Sequence, residues 1–320
     1  MTGHVAICLA TFRRPQVVAT LASLDRLDWP TGVTGEVIVV DNDDTPSAQI
    51  RIAAFAARAT IVVRYAHAPA RNISVARNAA LHLAQDADFI AFLDDDEVAS
   101  PGWIAALLAR MHETGADAVL GPVQAVYDSA APAWMRRGRV HDTRPTTLGN
   151  GDIVTGYTCN ALLRQSSEAV RGLRFDPARG RSGGEDTAFF AALHAAGGRI
   201  VAAPQAVLSE EVPPARARLG WLLRRRFRMG QTHGSLIGAG ARPIRRGLLG
   251  LAALGKVAAC GGLALLGLPD ALRRNRALMR AVLHCGTLAG LCGLAPLQLY
   301  GGATATPAKL SMIQQAGRRF

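Results

Sequence analysis

The sequence predicts an α/β fold: a mostly parallel β-sheet flanked by helices over residues 1–212, followed by a basic, apolar helical region. Three observations carry this expectation. Short β-branched runs alternate with helically spaced segments over residues 1–125. The charge changes sign along the chain: residues 1–210 hold 19 Lys+Arg against 22 Asp+Glu, whereas residues 211–320 hold 17 against 2. Finally, 49% hydrophobic against 19% charged residues is the balance of a folded chain with an apolar excess and excludes general disorder.

Strands are expected at 5–10, 36–40, 61–65, 89–93 and 118–120, and helices at 17–27, 47–57, 75–85 and 103–113. Thr11, Asp41, Asn72 and Asp94 fall just past strands, and in open α/β sheets such positions share one crevice. Residues 127–151, rich in Pro, Gly, Arg and Asp, read as a long loop over that face; with Tyr157 they are the expected seat of ligand specificity. A strand at 158–163 and a helix at 185–196 follow. Residues 1–12 have no basic lead and only a short apolar run, so they read as a first strand and not as a signal peptide.

Beyond Pro213-Pro214, residues 213–241 form a basic amphipathic helix, with a helix expected at 215–236 and Arg224, Arg225, Arg226 and Arg228 among its charges. Residues 242–306 read as an apolar helical hairpin and 307–320 as a tail. The runs 247–268 and 281–308 are each long enough to cross a bilayer. Lys256 inside the first, and Arg273, Arg274, Arg276 and Arg280 between the two, argue instead for a re-entrant or in-plane hairpin; a buried helical subdomain is the alternative. The basic half, Leu/Gly/Ala-rich and poor in aromatics, points to an anionic membrane surface and not to nucleic acid. Five cysteines without a C-x-x-C pair indicate neither a disulfide framework nor a zinc site.

Two acidic motifs carry chemistry. The apolar strand 89–93 runs into Asp94, Asp95, Asp96 and Glu97. Acids packed this tightly need a cation or solvent, and Asp94 and Asp96 are the expected ligands of Mg²⁺ or Mn²⁺; a solvated acidic turn is the bland alternative. Further on, Gly183-Gly184 precedes Glu185 and Asp186 at a helix start, where small residues let backbone approach a ligand. Asp186 is placed to act as a base, although acids also favour helix N-termini for their dipole alone. A strand followed by Asp-x-Asp also occurs in haloacid-dehalogenase-type phosphatases, and Asp94, Asp96 and Val98 satisfy that pattern formally. Lys256 and Lys309 are poor candidates for the phosphate-holding lysine those enzymes need.

In order and spacing, Thr11-Phe12-Arg13-Arg14-Pro15, Val39-Val40-Asp41-Asn42, Leu93 to Glu97 and Gly184-Glu185-Asp186 resemble the motifs of family 2 glycosyltransferases with the GT-A fold. The arrangement looks like bacterial exopolysaccharide transferases of the succinoglycan type. The resemblance implies that Thr11 and Asp41 hold a uridine base, with Phe12, Arg13 and Asp43 on the nucleotide. It implies that Arg77 and Asn78 line the nucleotide side, that Asp94, Asp95 and Asp96 meet ribose and metal, and that Asp186 is the base of an inverting transfer. Gly184, Glu185, Arg225 and Arg228 fall on the acceptor side. The implied partners are a UDP-sugar, glucose foremost, and a polyprenyl-diphosphate-linked or other glycan acceptor at the cytoplasmic face of the inner membrane. The stretch from Arg224 to Thr232 matches the processive members' signature poorly, which favours one sugar per acceptor. A non-catalytic nucleotide-sugar-binding assembly component is the alternative from a different class.

Overall fold

The computed structural model describes residues 2–297. The catalytic-type half runs β1 Gly3–Thr11, α1 Val17–Leu24, β2 Val33–Asp41, α2 Gln49–Ala56, β3 Val62–His67, α3 Ile73–Leu83, β4 Phe89–Leu93, β5 Glu97–Ala99, α4 Trp103–Thr114, β6 Ala118–Leu120 and β7 Val123–Val126. It continues through α5 Ala133–Gly138, β8 Asn160–Arg164, α6 Glu185–Ala195, β9 Ile200–Ala202 and β10 Leu208–Glu211. Three long helices follow: α7 Leu219–Gly238, α8 Pro243–Leu266 and α9 Ala271–Leu291.

The main sheet has seven strands in the order β3-β2-β1-β4-β8-β6-β9. β3, β2, β1 and β4 are mutually parallel, and β8 runs antiparallel between β4 and β6. Strand alternation divides the core. Val5, Ile7 and Leu9 of β1 join Leu21 of α1, Ile52 of α2 and Trp103 of α4 on one face. Ala6 and Cys8 join Ala76 and Ala80 of α3 and Phe190 of α6 on the other. Burying each large aliphatic contributes roughly 1.5–3 kcal/mol. A small second sheet, β5-β10-β7, sets Glu210 opposite Glu97.

The expected strands at 89–93 and 118–120 form with those bounds, and the other first-half elements differ only at their ends. Residues 127–151 differ more. They contain α5, and Thr143 bridges Val123. No apolar period announces α5, because it is held by tertiary contact: Met135 packs with Val140, Leu222 and Met279.

α7 and α9 touch backbone to backbone. A Cβ on Gly230 would strike Leu283 O, one on Gly286 would strike Phe227 O, and one on Gly290 would strike Gln231 O. Small residues at four-residue spacing permit this approach. Gly230 lies by Leu283 and Thr287, and Gly234 by Thr287 and Leu291, so the two helices run in the same direction. α8 runs back antiparallel along α9, with Gly250 near Leu288 and Gly267 near Arg274. Of the run 281–308, residues 281–291 are the last part of α9, a helix that begins at Ala271, carries Arg273, Arg274, Arg276 and Arg280, and buries Ala277, Ala281 and Ala289. Residues 298–308 of that run, and the tail 307–320, lie outside the described residues. Among the described residues α8 is the one helix long and apolar enough to cross a membrane, with mean hydropathy 1.8 and almost none of it buried in the protein.

Candidate active site

The crevice opens where β1 lies between β2 and β4, at the carboxyl ends of all three strands. Thr11 and Asp41 end paired strands in register, and Asp94 follows β4 directly. The chain turns sharply there: Asp94 N–H donates to Glu97 Oε2 at 2.7 Å, and Glu97 N–H to Asp94 O at 3.3 Å. Glu97 is buried, and burial followed by the charge of Asp94 pushes its carboxyl well above the usual carboxylate range.

Arginines answer these acids. Thr11 Oγ1 donates to Asp95 Oδ2 at 2.7 Å, and Arg14 Nη1 reaches Asp95 Oδ1 at 3.2 Å and also binds Asp96. Arg216 pairs with Glu210 at 2.8 Å and lies 4.0 Å from Asp96. Burial still dominates: Asp95 is pushed up to about 6, and Asp96 is raised by burial first and by Asp94 second. Such a desolvated carboxylate cluster has the donor chemistry of Mg²⁺ or Mn²⁺. Asp94 retains 45% side-chain exposure and only a 3.4 Å contact with Arg77. Among the described residues no closed set of three His, Cys, Asp or Glu is arranged around a metal point. The fit is thus to an open pair, Asp94 and Asp96, whose coordination a diphosphate and water would complete.

On the nucleotide side the structure gives most of the expected residues a defined partner. Asp41 is fully buried; Oδ1 accepts from Asp43 N–H, and Oδ2 from Ala48 N–H and the Tyr65 hydroxyl. It organises the turn after β2. Asp43 is held by Arg13 Nε at 2.8 Å, which lowers its carboxyl below the usual range. Arg13 adopts φ 56°, and its guanidinium lies 5.1 Å from the Phe12 ring. Asn72 caps α3, accepting from Ser74 and Val75 N–H. Asn78 exchanges two 2.8 Å bonds with the Phe175 backbone, so it clamps that loop.

Arg77 joins the two acidic motifs. Buried over the Phe175 ring, it donates to Glu185 Oε1 at 2.6 Å and to Asp94 Oδ1 at 3.4 Å. Glu185 is therefore separated from Asp94 by the width of one guanidinium, and the charge of the neighbouring Asp186 also acts on Arg77. Asp186 is half-buried and accepts from Thr187 N–H at 2.7 Å. Burial first, and Glu185 second, push it up to about 6. Glu185 Oε2 is buried with no hydrogen-bond partner among the described residues.

The glycine pair before these acids also has a structural reason. Gly183 and Gly184 have φ of 83° and 89°, and a Cβ on them would collide with Arg228 and with Thr232. They make room for α7. Arg228 donates to Ser182 O at 2.8 Å and so braces the turn bearing Asp186. Arg225 stands apart from that turn, 5.4 Å from the Trp221 ring. Arg14, Glu97, Glu210 and Arg216 complete the cluster without having been among the expected site residues. Arg14 and Glu97 stand inside the quoted motifs; Glu210 and Arg216 have no sequence signal beyond the change of charge that begins there.

Family models for "Glycosyl transferase family 2" and "Glycosyl transferase family group 2" match residues 6–171 and 89–293. The chain is a family 2 glycosyltransferase. The transferase is 46% identical over 307 residues to succinoglycan biosynthesis protein ExoM of Rhizobium meliloti (strain 1021), covering 96% of this chain and 99% of that protein. Its fold is similar to that of mannosyltransferase PcManGT from Pyrobaculum calidifontis in complex with GDP-Man and Mn²⁺, at TM-score 0.61 and 19% identity over 91% of this chain and 88% of that one. S. aureus TarS 1-349 in complex with UDP-GlcNAc aligns at TM-score 0.53 and 15% identity over 92% and 93% of the two chains. The transferase spans 55% of the longer S. aureus TarS chain, at TM-score 0.52, 17% identity and 90% coverage of itself. Those likenesses establish the GT-A fold, and family membership sets the phosphatase alternative aside.

Proposed function

We propose that this transferase moves a single sugar, glucose foremost, from a UDP-sugar to a lipid-linked oligosaccharide in bacterial exopolysaccharide synthesis, inverting the anomeric centre. The reading is supported by the relative named for succinoglycan biosynthesis and, above all, by Arg77 drawing Asp94 and Glu185 to one guanidinium. In it Thr11, Phe12, Arg13, Asp41, Asp43, Asn78 and Asp95 shape the nucleotide side. Asp94 and Asp96 hold Mg²⁺ or Mn²⁺, which when bound offsets the charge of the donor diphosphate. Asp186 accepts the proton of the acceptor hydroxyl as that oxygen attacks the anomeric carbon. Its raised carboxyl, about 6, keeps it basic enough for this and mostly ionised near neutrality. Glu185 and Gly184 stand on the acceptor side with Arg225 and Arg228.

The exposed apolar α8 supports seating on the membrane, and the basic residues of α7 and α9 support its cytoplasmic face. Residues 1–212 then form the catalytic domain, 213–241 the basic helix and 242–306 the membrane-associated hairpin. The test is a screen of radiolabelled UDP- and GDP-sugars against lipid-linked acceptors with Mn²⁺, followed by NMR of the product anomer. A single added sugar of inverted configuration is expected. Donor binding without transfer to any acceptor would favour the assembly-component reading.

A further inference from the structure

A cavity of about 480 Å³ opens between the segment from Arg137 to Thr146, Tyr157, α7 and α9. Tyr157 links it to the catalytic crevice: burial, and next the charge of Asp186, raise its phenol. The lining is strongly basic. Arg137, Arg139, Arg144, Arg225, Arg226 and Arg276 contribute to it, against the single acid Asp142.

Four of these arginines have protein partners. Arg139 and Arg144 share Asp142 at 2.8 and 3.2 Å, Arg137 pairs with Asp270 at 2.8 Å, and Arg276 donates to Gly138 O at 2.8 Å. The two on α7 make no ion pair among the described residues. Arg225 rests on the Trp221 ring, and Arg226, half-buried, has neither a hydrogen bond nor an ion pair among the described residues. Burial first, and next Arg225, pull Arg226 below the ordinary arginine value. His141, also in the lining, is pulled down to about 4 by burial and stays neutral. Half-buried guanidinium groups outside any ion pair call for an anion, and their planar forks match phosphate oxygens two at a time.

An apolar surface lies beside this charge. α8 ends where α9 begins, and Leu263, Leu265, Leu266 and Leu268 are 56%, 68%, 82% and 56% exposed there. Gly267 packs against Arg274, and Leu272 against Gly138 of the cavity wall. A ligand suited to both surfaces carries a compact polyanionic head and a hydrocarbon chain.

We propose that this cavity is a second diphosphate site, distinct from that of the nucleotide, which seats the head group of a lipid-diphosphate acceptor on Arg225 and Arg226 with its hydrocarbon along the exposed end of α8. The inference rests on the lipid-linked acceptor reading and assigns it a location.

The test uses the full chain with UDP held at saturation, so that the donor side is filled, and titrates farnesyl diphosphate and, separately, inorganic pyrophosphate by calorimetry. Both should bind, pyrophosphate displacing farnesyl diphosphate, with the lipid the tighter of the two. The double substitution Arg225→Gln and Arg226→Gln should weaken farnesyl diphosphate by about tenfold or more while leaving UDP affinity within about twofold. Arg144→Gln changes a side chain that is 68% exposed and should weaken it by about threefold with the fold intact. Competition between UDP and farnesyl diphosphate in the unaltered protein, or unchanged lipid affinity in both variants, would overturn the proposal. UDP failing to bind at all strikes the donor reading instead, because the lipid titration can be run without it.

Discussion

At the ends of β1 and β4 nearly every acid has an arginine against it: Asp95 and Asp96 have Arg14, Asp43 has Arg13, Asp94 and Glu185 share Arg77, and Glu210 has Arg216. Along α7 the opposite holds, with Arg225 and Arg226 in no ion pair among the described residues. The acidic flank is balanced from within, so a cation arriving there competes with built-in guanidinium groups. The basic flank is left unbalanced and takes its complement from outside the chain. One flank is organised for positioning and the other for capture.

The strongest way to break this comparison is Asp186→Asn. It should reduce turnover by roughly 10²–10⁴-fold, the usual worth of a positioned base, with UDP affinity nearly unchanged in equilibrium titration. Retained turnover would remove Asp186 from that role. Next in size is Arg77→Met, which strips the counter-charge from the buried Glu185. A destabilisation of about 3–5 kcal/mol is expected in urea unfolding, and a loss under 1 kcal/mol would mean the acidic flank does not depend on its arginines.

The pH dependence sharpens the same contrast. With Asp186 pushed up to about 6, kcat should be level above that pH and fall about tenfold per unit below it, as the base takes up a proton. In the Asp95→Asn protein, which lacks the other carboxyl pushed to about 6, that limb should persist. Absence of the limb from pH–rate profiles of the unaltered enzyme would detach the base from the buried cluster. The smallest effect is expected from Leu265→Ser with Leu266→Ser. Binding to anionic vesicles should drop several-fold in sedimentation, about 1 kcal/mol in all, because the side chains are only partly withdrawn from water, with no change in the unfolding midpoint. Equal sedimentation would place the membrane contact elsewhere.

Sequence periodicity located the sheet because β1, β2 and β4 carry apolar runs, Val5–Leu9, Val37–Val40 and Ile90–Leu93, buried on both faces, a pattern that few other structures produce. The acids of 94–97 and 185–186 were legible for the same reason: charge at the end of such a strand, or behind a Gly pair, stands out. Glu210 and Arg216 were not, since their role arises only when β10 pairs with β5 and brings them under Asp96. α5 was hidden because its one deeply buried apolar side chain, Met135, draws its support from residues about 90 and 140 positions away. The glycines of α7 and α9 weakened the helical signal while being the residues that let those helices meet.

That meeting has a mechanical corollary. Where two backbones touch there are no side chains to re-sort, so a shift of α9 must carry α7 with it. Arg228 and Thr232 project from α7 into the Gly183-Gly184 bend, whose next two residues are Glu185 and Asp186. α9 and the bend that carries Glu185 and Asp186 are thus members of one stiff linkage, and in the proposed membrane-seated reading the depth at which the protein rides in a bilayer is felt at Asp186.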